Sequence, residues 1–153
     1  MALDLYAIRT ALADQIKAAL QGTGRDANVY AYPPDSPASP AVLIRPRGGT
    51  PTYVQYHQSF SMNEQGDGAL AGIELEIEIR VGGSEVDAQI AMDDYLSTGT
   101  AASIVNAVEA DKTLGGAVES CWIRAVGGPL RFVQDEAREW LAALLEFEAY
   151  ERR

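Results

Sequence analysis

Apolar positions in this chain recur at two periods, and glycines mark most of the switches between them. Leu5, Ile8, Leu12, Ile16 and Leu20 are three or four residues apart, the spacing that lines one face of an α-helix. Asp4 stands at the N-cap position, and Gly22 and Gly24 follow the last apolar residue. The first element is therefore a helix near residues 4–20. Further on the period falls to two: Ile73, Leu75, Ile77, Ile79 and Val81 alternate with Glu74, Glu76, Glu78 and Arg80. That alternation predicts a strand with one apolar and one charged face. The helical period returns with Ala88, Ala91, Met92 and Tyr95, and again with Ala101, Ile104, Val105 and Val108. Ser84 followed by Asp87 fits a capping box for the first of these helices. Thr100 is placed to cap the second, and Leu114 with Gly115-Gly116 ends it.

Shorter β-rich runs fill the rest. Asn28-Val29-Tyr30-Ala31-Tyr32 and Ala41-Val42-Leu43-Ile44-Arg45 read as strands paired in a hairpin. Between them PPDSPASP, residues 33–40, excludes a helix or central strand because proline lacks the N–H both need. It predicts an exposed connector. Residues 53–60, YVQYHQSF, read as a further strand, and 63–68, NEQGDG, as a turn. Cys121–Val126 and Pro129–Val133 predict two more strands separated by Gly127-Gly128. The closing run fits two templates. Ala137, Trp140, Leu141, Leu144, Leu145 and Glu148 suit a helix; Leu141, Ala143, Leu145, Phe147 and Ala149 suit a strand. Periodicity alone slightly favours the helix. The order is α+β: a mixed or antiparallel sheet packed against an N-terminal helix and a central helix–break–helix.

Length and charge narrow the function. The 153 residues suit one domain spanning 1–153, and 47% are hydrophobic, so the chain is globular. A net charge of -10 and a pI near 4.4 oppose nucleic-acid binding, which needs clustered Lys and Arg. They equally oppose anionic lipid. DNA passing an acidic wall is repelled rather than bound. The one cysteine, Cys121, forbids an internal disulfide and sits in an apolar run, where it reads as core filler. No apolar run approaches the ~20 residues of a membrane-spanning helix.

Candidate chemistry is sparse. His57, the one histidine, has no local nucleophile or carboxylate with which to form a triad. One His and one Cys exclude the usual zinc sites. Asp93, Asp94, Glu109 and Asp111 offer oxygen ligands. Helical neighbours, however, diverge by ~100°, and residues two apart do not face each other, so these read as solvated helix acids. STGTAAS, residues 97–103, lacks the spacing of a phosphate loop. It reads as a C-cap, Gly99, followed by an N-cap, Thr100. A hydrolase with paired carboxylates stays as a remote alternative, because its acids need not be close in sequence. No catalytic residue, metal or cofactor is expected. Interface residues remain: Tyr53, Tyr56 and Phe60 serve either the core or a subunit contact. Glu74, Glu76 and Glu78 form either a solvated face, the first expectation, or the wall of an assembly.

One stretch carries a resemblance. MDDYLSTGTAASIVNAVEADKTLGG, residues 92–116, resembles a signature of tail terminator proteins of long-tailed bacteriophages. In that family a helix ending in an Asp-x-Tyr-Leu-like motif is followed by a Gly/Ser break. A helix with an Ile-x-x-Ala-Leu/Val-Glu-Ala-Asp core comes next, and then Thr-Leu-Gly-Gly. The order of the other elements agrees over nearly the whole chain. The resemblance implies a sheet packed on helices, with residues 139–150 as its last strand. It implies a non-enzymatic subunit of a ring, typically a hexamer, that caps the tail tube, stops its growth and offers a surface for head joining. The implied partners are other copies of the chain, the tail tube protein and a neck or head–tail connector protein. Genomic DNA would pass through without specific binding, and no membrane is involved. The implied location is the head-proximal end of the virion tail, after assembly in the host cytoplasm. A neck adaptor of the same particle is the nearest alternative.

Overall fold

The computed structural model describes residues 3–47, 53–57, 70–82, 85–135 and 138–152. Helix α1 (Leu5–Leu20) comes first, then strands β1 (Asn28–Tyr30), β2 (Ala41–Pro46), β3 (Val54–His57) and β4 (Leu70–Val81). Helices α2 (Glu85–Leu96) and α3 (Ile104–Glu109) and a 3-10 turn at Leu114–Gly116 follow, and β5 (Ser120–Asp135) and β6 (Arg138–Arg152) close the chain. This is the α+β architecture expected.

The sheet runs β1-β2-β4-β6-β5, with β3 also paired to β4. β2 and β3 lie end to end along the same edge of β4: Pro46 pairs with Leu75 and Val54 with Ile73. Glu74 joins the two halves. Its carbonyl accepts from the Arg47 N–H at 3.4 Å, and its own N–H donates to the Tyr53 carbonyl at 3.0 Å.

One face of the sheet is apolar and the helices cover it. Ile73, Leu75, Ile77 and Ile79 of β4 and Leu145 and Phe147 of β6 pack with Val42 and Ile44 of β2. Against them lie Ile8, Leu12, Ile16 and Leu20 of α1, Met92 and Tyr95 of α2, and Ile104 and Val108 of α3. Each such fully buried side chain contributes about 1.5–3 kcal/mol of transfer free energy. Asp4 caps α1 as expected, its Oδ1 accepting from the Ala7 N–H at 2.9 Å.

Several expectations are corrected. β1 and β2 are parallel, not a hairpin. The proline-rich loop carries the chain back to the start of the next strand, and it is tied to β1: the Asn28 N–H donates to the Pro40 carbonyl at 2.9 Å, and the Ala38 N–H to the Tyr30 hydroxyl at 3.2 Å. β5 is one strand rather than two. β6 runs unbroken beside it, so Gly127-Gly128 falls within a register irregularity between Gly127 and Arg131 instead of a turn. The closing run is a strand, paired to β4 on one side and β5 on the other. The break between α2 and α3 is also built differently. Ser103 caps α3, accepting from the Asn106 N–H at 3.1 Å, while the Thr100 hydroxyl donates backward to the Asp94 and Ser97 carbonyls at the end of α2. Gly99 has no left-handed φ, so it is not a helix-ending glycine of the kind expected. Ser84 lies outside the described residues.

Candidate functional site

The outer face of the sheet is charged because β4 and β6 both alternate. Their register sets Glu74 opposite Glu148 and Glu76 opposite Glu146. Like charges directly opposite destabilise a sheet, so the pairs need cations, and the neighbouring strands supply them. Arg45 of β2 reaches Glu78 at 2.7 Å and Glu76 at 3.8 Å. Arg47, just past β2, crosses β4 to span both strands: it lies 3.5 Å from Glu74, 3.8 Å from Glu146 and 3.7 Å from Glu148. Arg80 pairs with Glu78. From the other edge Arg124 of β5 reaches Glu148 at 3.4 Å and Glu146 at 3.9 Å. Among the described residues this network holds five glutamates and four arginines.

The expectation of a solvated acidic face is therefore corrected. The Glu78 side chain is 2% exposed and that of Arg47 8%. Glu76 is nearly buried as well. The row is a crossed lattice of ion pairs lying flat on the sheet. Its buried members are mutually dependent, because removing one partner leaves a desolvated charge behind.

A β-bulge sets one end of this lattice. Trp122 pairs with Glu148 and Ile123 with Phe147, but Ala125, not Arg124, pairs with Glu146. The extra residue is Arg124. A bulge re-aims the side chain it carries, and here the guanidinium reaches back over two glutamates of β6. Next to it the outer face is hollow. Gly72 stands between Gln55 of β3 and Tyr150 of β6 in the register and has no side chain to fill the space. A recess of about 300 Å³ opens there, bounded by Gln55, Glu74, Trp122, Glu148 and Tyr150. The Trp122 and Tyr150 rings meet edge to face, 5.0 Å between centroids.

The other residues singled out from sequence separate. Tyr53 is half-buried and packs against the core. Tyr56 and His57 are strand residues opposite Ala71 and Leu70; Phe60 lies outside the described residues. The acids of residues 92–116 do not converge. Asp94 pairs with Arg25 at 2.9 Å, and Glu109 with Lys112 at 4.0 Å. Asp111 braces a turn: its carboxylate accepts from the Thr113 hydroxyl at 2.7 Å, the Thr113 N–H at 3.0 Å and the Gly115 N–H at 2.9 Å. The Thr113 hydroxyl first, then the Gly115 and Thr113 N–H groups, hold its carboxyl below the ordinary value. Leu114, Gly115 and Gly116 all have positive φ, which aims Leu114 into the core. Gln15 of α1 then locks the module down. Its side-chain amide donates to the carbonyls of Ala107 at 2.8 Å and Val108 at 2.9 Å, which the C-terminus of α3 leaves without helical partners, and to that of Asp111 at 3.2 Å.

Tyr95 is fully buried, and its hydroxyl donates to the Arg25 carbonyl at 2.9 Å. Burial pushes that phenol up. Burial, then the charges of Asp111 and Glu109, push the Cys121 thiol up to about 11, which suits a packing residue. Among the described residues no three His, Cys, Asp or Glu side chains are grouped to hold a metal ion, and no helix is long and apolar enough to cross a membrane.

The arginines of the lattice were not singled out from sequence. Two signals point to them: Arg45 and Arg47 keep the period of two, and Arg80 continues the row of Glu74, Glu76 and Glu78. Compared with protein-family models and with curated proteins, the chain matches none.

Proposed function

We propose that this chain is a tail terminator subunit of a long-tailed bacteriophage, a structural protein that forms a ring on the end of the tail tube and stops its growth. The observation that carries the reading is the construction of residues 92–116. Several residues of the resembling run have a structural task. Tyr95 ties α2 to the segment after α1. Ser103 starts α3, Asp111 braces the turn, and Leu114-Gly115-Gly116 folds it inward. These tasks support reading the run as a scaffold.

Two further features support the reading. The chain is strongly acidic, with a net charge of -10, which suits a ring whose lumen passes DNA without holding it. Its outer sheet face is charged, a surface that contacts between subunits or with tube and neck proteins would use through electrostatic complementarity.

The test is tube length. Tail tube protein polymerised with and without this chain is measured by electron microscopy. The terminator reading predicts that added chain stops elongation and gives shorter tubes in a concentration-dependent way. Tubes of unchanged length at every ratio contradict it.

A further inference from the structure

We infer that the recess over Gly72 receives a cationic side chain, an arginine or lysine, presented by a basic segment of a different protein. Two observations on the outer face lead there. First, its walls combine an indole and a phenol ring with two carboxylates: Trp122 and Tyr150 meet edge to face, and Glu74 and Glu148 stand opposite each other on the rim. Aromatic faces beside carboxylates attract a cation by both quadrupole and charge. Second, among the described residues the lining holds those two carboxylates and no basic side chain. Arg47 and Arg124 bind the same glutamates from outside it.

The volume, about 300 Å³, is at the small end of ligand recesses and accommodates one guanidinium or ammonium head. The absent side chain at Gly72 creates the space, and Gln55 closes it on the β3 side. The chain's net charge of -10 favours a basic partner at this recess. The assignment stands on the recess alone and does not depend on the tube-capping reading.

The test is an NMR titration of the full chain with acetyl-Gly-Arg-Gly-amide, following the Trp122 indole N–H and the Gly72 amide. A citrulline peptide of the same length serves as the neutral control. The expected result is a saturable shift at both positions with the arginine peptide, none with citrulline, and weakening as salt is raised. Glu148→Gln weakens binding about tenfold, the loss of one charge-assisted contact. Trp122→Leu removes the saturable shift while the dispersed spectrum shows the fold intact. Equal shifts from both peptides overturn the inference, as do unsaturable shifts scattered over the acidic surface. Shifts at Trp122 that grow with protein concentration in the absence of peptide also overturn it, because they assign the recess to a second copy.

Discussion

Glu74 and Glu148 face each other across β4 and β6, and the single guanidinium of Arg47 lies within 3.5 Å of one and 3.7 Å of the other. Like charges are thus made neighbours by the register, and a cation from outside both strands holds them. Arg47→Met leaves Glu74 facing Glu148 without the cation between them, while Glu146 and Glu148 keep Arg124; with these glutamates partly solvated it is expected to cost about 1–2 kcal/mol in urea unfolding. Adding Glu74→Gln and Glu148→Gln to the same chain recovers most of the loss. An Arg47→Met midpoint equal to that of the parent contradicts this account of the lattice.

The Asp111 turn predicts a pH dependence. The ordinary carboxyl value is 3.8, and hydrogen bonds from Thr113 and Gly115 lower it in the folded chain. A depressed folded value means the stabilisation is whole above the unfolded value and is lost as pH falls through the folded one. The stability gap between the parent and Asp111→Asn is therefore full near neutral pH and narrows below pH 3.8. Denaturant titrations across that range measure it; a gap constant down to the most acid point refutes the assignment.

Gly116 and Gly99 are expected to differ. Gly116 has φ +96 and open space where a Cβ would sit, and Gly99 has open space without a left-handed φ. Gly116→Ala should cost about 1–2 kcal/mol from backbone strain alone. Gly99→Ala should stay within about 0.5 kcal/mol of the parent. Thermal unfolding of the pair decides it, and equal effects contradict the turn geometry.

Cys121 gives an alkaline counterpart. Burial raises its thiol from 9.0 to about 11, so the unfolded chain loses the proton first. The stability that the neutral thiol contributes is whole below pH 9 and is lost as pH rises towards 11. Cys121→Ala should show a shallower alkaline decline than the parent. In the native parent, iodoacetamide at pH 8 should leave the thiol unmodified, with full reaction in denaturant. Rapid native labelling would contradict the burial.

Elements that bury one face are legible in the sequence, and those that bury two are not. α1 and β4 imprint clean periods because Leu12 and Ile16, or Leu75 and Ile77, meet the core while their neighbours do not. β6 lies between β4 and β5, and its outer face is partly covered, with Ala142 1% exposed. Its apolar residues therefore accumulate on both sides and mimic a helical stripe. The direction of β2 relative to β1 depends on where the loop delivers the chain, which strand composition does not record. For the candidate site, Glu74, Glu76 and Glu78 are visible as a row, but their burial is not. It depends on Arg45 of β2 and the crossing Arg47, contacts that exist only once the register is known. Trp122, Tyr150 and Gly72 become neighbours by the same pairing.

The central claim is that this chain caps tail tubes as a ring, and direct imaging tests it. Tail tubes incubated with the purified chain are imaged by electron microscopy and their ends averaged. The account predicts a symmetric ring of added density, six subunits by the family resemblance, at one end of the tube and none along its length. Bare ends at every concentration tried, or density scattered along the walls, would contradict it.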